Sequence, residues 1–311
     1  MKERRFFEDV YTACQSDKKR IVFPEATDER VIQAVNTLAS RDILKPVLLV
    51  SDETPEGLHD DVIVDEVDPD ETLLSSYQSA RDVSRDEAYD ALQDPITYSM
   101  MLARVGRSDG VVCGANHPSK MTYSHALKLV GPRSDVDVVS TAFLLFWNDE
   151  QYLFADCALN IDPDAETLAH IAQETVHTAH SLDMTARVAM LSYSTRGSGA
   201  GPSPTRVEKA TELVRERCRC NVLGEVQFDA AFKKSVREVK LGEPGEPCNV
   251  YVFPSLDAAN IGYKIADHMG GASAIGPLTQ GLAASVNDLS RGCDVQEIVE
   301  TAALTARGLN G

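Results

Sequence analysis

The sequence is poor in aromatic side chains and in positive charge, and it has no long apolar run. Phe, Trp and Tyr make up 6% of the 311 residues, and 48 acidic residues outnumber 30 basic ones, which gives a formal net charge of −18. An acidic surface repels nucleic acid and anionic lipid, so we expect neither as a partner. No segment approaches the roughly 18 apolar residues of a membrane-spanning helix, and the first ten residues, MKERRFFEDV, lack the apolar core of a signal peptide. These absences predict a cytoplasmic protein that acts away from membranes.

Motifs of several well-known chemistries are also missing. The seven cysteines are scattered, no CxxC pair occurs, and Cys218 and Cys220 have the wrong spacing for a zinc knuckle. His177 and His180 lie three residues apart in a predicted helix, but no cysteine or carboxylate completes a metal site around them. The G-x-S-x-G motif of the α/β-hydrolases does not occur. We therefore expect reduced thiols and no bound metal.

The chain alternates short apolar strands with amphipathic helices. Strands are predicted at 20–24, 45–50, 62–64, 109–114, 136–147, 151–156, 186–193, 222–227 and 249–253. Helices are predicted after an N-cap at Thr27 or Asp28 and over 76–92, 95–106, 165–181 and 204–219. This order predicts an α/β fold with mostly parallel sheets sandwiched by helices. The length predicts two domains, and because no long linker occurs, the chain should cross between them near 135 and 277.

The C-terminal segment carries the densest group of polar side chains. Residues 287–291 (NDLSR) supply a carboxylate, a hydroxyl and a guanidinium just before a helix that begins near Asp294. Such groups beside a helix N-terminus favour an anion-binding site. The alternative is a capped helix, because Asp294 and Glu297 have the spacing of a capping box. Spacing alone favours the capped helix.

Two further loops follow predicted strands. Residues 115–122 lie beyond the carboxyl end of a strand, which is where ligands bind in α/β sheets. The glycine-rich residues 194–201 could cradle a phosphate with backbone N–H groups, but they match neither a Walker A loop nor a complete G-x-G-x-x-G. A flexible turn is the favoured interpretation of this loop, and a dehydrogenase-like protein is the weaker alternative.

Seven stretches of the chain together resemble the phosphate acetyltransferase (phosphotransacetylase) family, in the family's order. They are residues 21–30 (IVFPEATDER), 154–157 (FADC), 187–198 (RVAMLSYSTRGS), 227–231 (QFDAA), 252–256 (VFPSL), 260–264 (NIGYK) and 287–293 (NDLSRGC). The resemblance implies two α/β domains, 1–135 completed by 278–311 and 136–277, with the active-site cleft between them, and a homodimer. It also implies the reversible reaction acetyl-CoA + phosphate ⇌ CoA + acetyl phosphate. Coenzyme A is then a substrate, and no cofactor is bound permanently.

The resemblance also assigns roles to individual residues. It places catalysis at Ser290, Arg291 and Glu297. In the family's mechanism the carboxylate, here a glutamate where an aspartate is commoner, accepts the CoA thiol proton, and the arginine and serine stabilise charge at the phosphate and the reacting centre. Substrate-binding residues are expected at Ser119, Lys120, Thr122, Asn260, Gly262, Tyr263, Lys264, His268, Asn287 and Asp288.

The chain departs from the family pattern where two arginines help to hold anionic substrates. One of them falls at Ser124 and the other at His268, so Lys120 and His268 are the candidates for substitute charge. The alternative to an active phosphate acetyltransferase is therefore a family member that binds acyl phosphate or CoA without catalysis, or that takes a changed substrate.

Overall fold

The computed structural model describes residues 2–51 and 53–308, which form two compact units. The first unit contains the described residues up to Asp135 together with those from Leu282 onward, and the second contains Val136–Gly281. The return to the first unit lies a few residues beyond the predicted crossing near 277, because the last strand of the second unit continues through Pro277 to Gln280 and pairs there with its neighbour. None of the helices in the described ranges is long and apolar enough to cross a membrane.

The strands of the two units form two separate sheets. In chain order they are β1 (Arg20–Phe23), β2 (Lys45–Val50), β3 (Ile63–Glu66), β4 (Gly110–Cys113), β5 (Ser140–Trp147), β6 (Glu150–Ala155), β7 (Arg187–Leu191), β8 (Asn221–Val226), β9 (Val250–Val252), β10 (Ser273–Gln280) and β11 (Ser285–Asp288). The first unit has a fully parallel sheet of order β11-β4-β1-β2-β3. Its central strands are buried along almost their whole length, as expected of parallel strands covered on both faces.

The helices surround these sheets. They are α1 (Lys2–Ser16), α2 (Glu29–Ser40), α3 (Glu71–Arg81), α4 (Arg85–Leu92), α5 (Pro95–Arg104), α6 (Ser119–His125), α7 (Ala165–Ser181), α8 (Pro202–Arg217), α9 (Phe228–Phe232), α10 (Lys234–Leu241), α11 (Leu256–His268) and α12 (Val295–Arg307), with a π-helical turn over Ala126–Val130. In the first unit α12 packs against α1 and α2, while α5 packs against α3, α4 and α6. The predicted cap of α2 is confirmed at Asp28, whose side chain accepts a hydrogen bond from the backbone N–H of Arg30.

The sheet of the second unit is mixed. Its order is β10-β5-β6-β9-β7-β8, in which β10, β5 and β6 pair antiparallel and the remaining pairs are parallel. The turn predicted at 148–150 joins β5 to β6, and Asn148 and Asp149 take the positive φ angles that a tight hairpin requires. The α/β class with mostly parallel strands is therefore confirmed, and the antiparallel part is confined to one edge of this sheet.

One predicted helix is interrupted. Residues 76–92 fall in α3 and α4 rather than in one helix, because Asp82 adopts a left-handed φ of 54° and ends α3. Ser84 and Glu87 then form a capping box that begins α4. Asp82 and Ser84, whose side chains favour turns and caps, therefore end one helix and begin another where the apolar pattern predicted a single helix.

Candidate active site

The polar loops of the first unit gather at the carboxyl edge of its sheet. Strands β11, β4 and β1 are adjacent and parallel, and Asp288 at the end of β11 pairs in register with Cys113 at the end of β4. The chain leaves these strands into the loops 289–294, 114–118 and 24–28. Parallel strands bring their carboxyl ends to one edge, and this edge is where α/β sheets bind ligands.

A buried carboxylate organises the loop that follows β4. Glu25, which follows β1 and is 5% exposed, accepts hydrogen bonds from the backbone N–H groups of Gly114 (2.9 Å), Ala115 (3.0 Å) and Asn116 (2.8 Å). Its Oε1 also lies 2.8 Å from Nδ1 of His117. Because the backbone N–H groups satisfy this buried charge, the loop is held in one conformation. Sequence reasoning assigned no role to Glu25 or His117, although both lie in polar segments directly after apolar strands.

Arg30 ties three of these loops together. Its guanidinium binds the carboxylate of Asp28 (Nη2 to Oδ2, 2.7 Å) and donates to the backbone carbonyls of Ala115 (3.0 Å), Arg291 (2.9 Å) and Cys293 (2.9 Å). The hydrogen bond from Arg30 lowers the pKa of Asp28, so the ion pair persists at neutral pH. Arg30 is therefore a positioning residue: it fixes the backbone around residue 291 relative to the loop after β4.

Ser290 and Arg291 lie at the surface of this edge. Both are exposed, and the guanidinium of Arg291 has no hydrogen-bond or ion-pair partner in the part of the chain that the structure describes. The Ser290 hydroxyl oxygen accepts a hydrogen bond from the backbone N–H of Gly292 (3.2 Å). A rigid backbone thus presents a hydroxyl and a guanidinium that is able to bind an anion through two parallel hydrogen bonds.

Glu297 stands in the first turn of α12 and caps it. The backbone N–H of Glu297 donates to Asp294 Oδ1 (2.9 Å), and the backbone N–H of Asp294 donates to Glu297 Oε2 (2.8 Å). The capping-box interpretation is therefore confirmed. Capping does not exclude proton transfer by the same carboxylate, so the catalytic role of Glu297 stays a prediction.

Asp288 is a buried acid with little to compensate its charge. The residue is 1% exposed, and among the described residues no group makes a hydrogen bond of ordinary geometry to either carboxylate oxygen. Burial raises the pKa of Asp288 to about 6, while the nearby hydroxyls of Ser119 and Thr122 partly lower it. A Cβ atom at Gly114, where φ is +111°, would collide with Asp288 Oδ1, so only glycine allows the two loops to approach so closely.

We expect replacement of Asp288 by asparagine to change how stability depends on pH. A carboxyl pKa raised from 3.8 to about 6 means that the folded state binds the proton more tightly than the unfolded state does. The ionised carboxyl therefore destabilises the fold by an amount that grows above pH 4 and is complete above about pH 6. The free energy of unfolding of Asp288→Asn, relative to the unmodified protein, should rise by roughly 1 kcal/mol between pH 5 and pH 8. Urea denaturation measures this, and a difference that is constant or falls with pH would contradict the burial argument.

The other predicted substrate contacts in the first unit divide between surface and core. Ser119 and Lys120 are exposed at the start of α6, whereas Thr122 is fully buried. Asn287 is 2% exposed and donates its side-chain N–H to Thr305 Oγ1 (2.9 Å) on α12. That contact gives Asn287 a role in packing the sheet against α12 and does not support the predicted contact with substrate.

The remaining predicted contacts belong to α11 in the second unit. Asn260 donates to the backbone carbonyl of Cys157 (3.1 Å), and the Tyr263 ring stacks on Phe143 with centroids 3.9 Å apart. Lys264 Nζ lies 5.8 Å from the Tyr263 ring centroid. These contacts give Asn260 and Tyr263 structural roles.

Gly262 and His268 are the two other predicted substrate contacts on α11. A Cβ at Gly262 would press on the Phe253 ring at 3.1 Å, so this glycine allows close packing. The His268 ring is 76% exposed, and its Nδ1 is 3.6 Å from Asp267 Oδ2. His268 is thus placed as a surface histidine beside a carboxylate.

The loop over 194–201 is internally bonded rather than open to a phosphate. The backbone N–H of Gly197 donates to the buried Glu225 (2.6 Å), that of Gly199 to Ser194 Oγ (2.9 Å), and that of Thr195 to a neighbouring serine hydroxyl (2.9 Å). Because the turn uses these donors itself, the phosphate-cradle interpretation finds no support. Glu225 holds the turn through hydrogen bonds from the Ser194 hydroxyl (3.1 Å) and the Gly197 backbone N–H, and the flexibility of the turn stays a prediction.

Cysteine and histidine side chains do not gather into a ligand set. All seven cysteines are free, and burial raises the pKa of those in the core, such as Cys113 and Cys157, so that they remain thiols. No group of three or more His, Cys, Asp or Glu residues suited to a metal occurs within residues 2–51 and 53–308.

Comparison with known proteins identifies the family. Residues 5–306 match the family described as phosphate acetyl/butaryl transferase. The phosphate acetyltransferase of Bacillus subtilis (strain 168) is 39% identical over 302 residues, which cover 92% of this chain and 94% of that protein. The crystal structure of a phosphotransacetylase from Streptococcus pyogenes matches with a TM-score of 0.93 at 35% identity, and the EutD phosphotransacetylase from Staphylococcus aureus with 0.90 at 35% identity; each match covers 98% of both chains. The resemblance drawn from seven short motifs is thereby confirmed, and the chain belongs to the phosphate acetyl/butaryl transferase family.

Proposed function

We propose that this protein catalyses the reversible transfer of an acetyl group between coenzyme A and phosphate, acetyl-CoA + phosphate ⇌ CoA + acetyl phosphate. The observation that carries the proposal is the loop after β11, where an exposed Ser290 and Arg291 stand on a backbone anchored by Arg30, in a chain whose relatives are named phosphate acetyltransferase. An exposed guanidinium on an anchored backbone is suited to hold the phosphoryl group of acetyl phosphate. Acetyl is the proposed acyl group because the curated relatives carry that name.

In the proposed mechanism each group acts on a different charge. Arg291 neutralises the phosphoryl oxygens of acetyl phosphate, and Ser290 donates its hydroxyl hydrogen toward the oxygen on which charge develops. A thiol with a pKa near 8.5 is only about 3% ionised at pH 7, so a base beside the CoA sulfur raises the reactive fraction. Glu297 is the proposed base. The thiolate then attacks the acetyl carbonyl, and phosphate departs.

Lys120 is the proposed replacement for one of the missing arginines. It lies exposed on α6 one turn before Ser124, and residues four apart share one face of a helix. His268, exposed at the end of α11, is the proposed replacement for the other. We also propose that the enzyme works in the cytoplasm with CoA as a substrate. Acyl transfer changes no oxidation state, so the proposed reaction requires no resident redox cofactor.

The proposed reaction is tested by mixing the purified protein with acetyl phosphate and free CoA and following the absorbance of the thioester bond. We expect thioester to form only when all three are present, and added phosphate to slow its net formation because phosphate is a product. Binding of CoA without any thioester, at protein concentrations up to micromolar, would instead favour a non-catalytic family member.

We propose a homodimer in which α11 meets a second copy of the chain. This helix buries only Ala259, and Ile261, Ile265 and Met269 form an exposed apolar row at four-residue spacing, with 57%, 53% and 84% of each residue exposed. Because two copies of a chain with net charge −18 repel each other, an apolar contact is the suitable kind of interface.

We expect Ile265→Asp to convert the dimer to a monomer, because a carboxylate would have to be desolvated in an apolar contact. Light scattering at micromolar concentration measures the mass. Val239→Asp is the matched control, since Val239 is an 86% exposed apolar residue on another helix of the same unit, and it should leave the mass unchanged. An Ile265→Asp protein that remains a dimer would move the interface away from α11.

A further inference from the structure

A carboxylate and an imidazole form a pair at the carboxyl edge of the first sheet, outside the residues that the family resemblance assigned. Glu25 Oε1 and His117 Nδ1 are 2.8 Å apart. The Glu25 side chain is 3% exposed, whereas the His117 side chain is 35% exposed. A buried carboxylate therefore holds an imidazole whose other side is open.

The hydrogen-bond pattern defines which ring nitrogen is reactive. The two oxygens of Glu25 already accept three hydrogen bonds from backbone N–H groups, which can only donate. A carboxylate in such a cradle acts as an acceptor, so Nδ1 of His117 carries a hydrogen and donates it to Glu25. In the neutral ring Nε2 is then the basic nitrogen, and it has no hydrogen-bond partner within the described residues. The orientation of the ring is fixed, and its basic atom is accessible.

The loop that carries His117 is tied to the loop 289–294, which carries Ser290 and Arg291. Arg30 donates both to the carbonyl of Ala115, two residues before His117, and to the carbonyl of Arg291. The backbone N–H of Leu289 also donates to the carbonyl of Cys113 (2.8 Å), which joins the starts of the two loops. The imidazole and the Arg291 guanidinium thus stand on backbones that are tied to one another.

We propose that His117, oriented by Glu25, is a further catalytic residue that carries the proton of the phosphate. This inference rests on the proposed acetyl transfer and deepens it. In the direction of thioester synthesis the departing group would be the strongly basic phosphate trianion unless a proton reaches it. Arg291 stabilises charge but does not release a proton, and Asp288 is too deeply buried to touch the substrate. His117 is the accessible titratable group on the tied loop.

The step balances without any further reactant. The CoA thiolate forms a bond to the acetyl carbon, the bond between that carbon and the bridging phosphate oxygen breaks, and the electron pair of this bond goes to the oxygen. Nε2 of the His117 imidazolium delivers its proton to that oxygen, and hydrogen phosphate leaves. In the reverse direction Nε2 takes the proton as the phosphate oxygen attacks the thioester. An imidazole nitrogen can serve both directions because it can either donate or accept a proton.

The decisive variant is His117→Asn. The asparagine amide is able to donate to Glu25 in place of Nδ1–H, so the loop keeps its anchor, while the titratable Nε2 is lost. We expect kcat for acetyl phosphate to fall by about 10²–10³-fold, with a much smaller change in KM. The matched control is His125→Asn, since His125 also uses Nδ1 in a local contact, with the Met121 carbonyl (2.8 Å), and should retain its activity.

A second substrate separates proton donation from simple positioning. Acetyl methyl phosphate transfers the same acetyl group, but methyl phosphate leaves as a dianion and needs no proton. We expect the defect of His117→Asn to shrink to within about fivefold with this substrate. An equal loss with both substrates would make His117 a positioning residue, and full activity with acetyl phosphate would remove it from the reaction.

Two further measurements keep these outcomes distinct. If the unmodified enzyme forms no thioester from acetyl phosphate, the proposed function itself fails, which is a separate result from any loss in the variant. If the methyl ester is not a substrate, His117→Gly with added imidazole decides the question, because a small base that enters the vacated space should restore at least about tenfold of the lost rate. The absence of such rescue in a folded His117→Gly protein would overturn the proposal.

Discussion

Replacement of Arg291 by alanine is expected to lower kcat by about 10³-fold or more while leaving the fold intact. The residue is exposed and its guanidinium has no hydrogen-bond or ion-pair partner within the described residues, so its removal leaves no buried polar group unpaired. Its proposed partner, the phosphoryl group, gains negative charge as the acyl bond breaks, and a cation at that position stabilises the transition state more than the ground state. Thioester formation with saturating acetyl phosphate measures kcat, and thermal unfolding confirms the fold.

Two further variants show how a loss of kcat in Arg291→Ala is to be interpreted. Arg291→Lys should recover little of the lost rate, because a planar donor of two parallel hydrogen bonds becomes a point charge. Arg219→Ala removes an equally exposed arginine from a loop of the second unit and should turn over normally. If Arg291→Ala retains near-normal kcat, the phosphate is held elsewhere and the proposed role of Arg291 fails.

The location of the candidate site at the carboxyl edge of the first sheet could be predicted from the sequence, because the strands were expected to be parallel. Predicted strands such as 45–50 and 109–114 are followed by polar segments, and the alternation with helices predicts that the strands are parallel. The carboxyl ends of such strands collect on one edge, so a ligand site was expected beyond residue 114. Residues 287–291 were a candidate anion site, with a capped helix favoured by the spacing alone, and they do lie beside this loop.

The contacts that hold the site could not be predicted from local patterns. Glu25 binds a loop about 90 residues away in sequence, and Arg30 reaches Arg291 across a separation of 261 residues. Both contacts depend on the strand order β11-β4-β1, which joins the last strand of the chain to the first, and no periodicity in the sequence encodes that order. The resemblance included residues 21–30, but it pointed to the family rather than to these bonds.

Strand geometry separates two of the predicted substrate contacts. Successive residues of a strand point to opposite faces of the sheet, so Asn287 and Asp288 cannot both face the same ligand. The structure places Asn287 against Thr305 on α12 and Asp288 beside the hydroxyls of Ser119 and Thr122. That successive side chains point to opposite faces of the sheet could be predicted from the sequence, but the surroundings of each face depend on which helices cover it.

The Glu297 side chain caps α12 and is also the proposed base for the CoA thiol, and the substitution Glu297→Gln separates these two roles. Glutamine still accepts a hydrogen bond from the Asp294 N–H, as the capping box requires, but it does not take up a proton from the CoA thiol. We therefore expect Glu297→Gln to lower kcat by about 10²–10⁴-fold while the melting temperature shifts by no more than about 2–4 °C. Glu297→Asp, with its shorter side chain, should retain part of the activity.

A second capping box in the same chain provides a control for the contribution of capping alone to stability. Glu87 forms the same capping box with Ser84 at the start of α4, where its carboxylate accepts from the Ser84 N–H at 2.9 Å. Glu87→Gln should therefore change stability by about as much as Glu297→Gln, within roughly 1 kcal/mol, and leave kcat unchanged. If the two variants match in stability but only Glu297→Gln loses turnover, the loss reports proton transfer. If both turn over normally, Glu297 is a helix cap and another group takes the thiol proton.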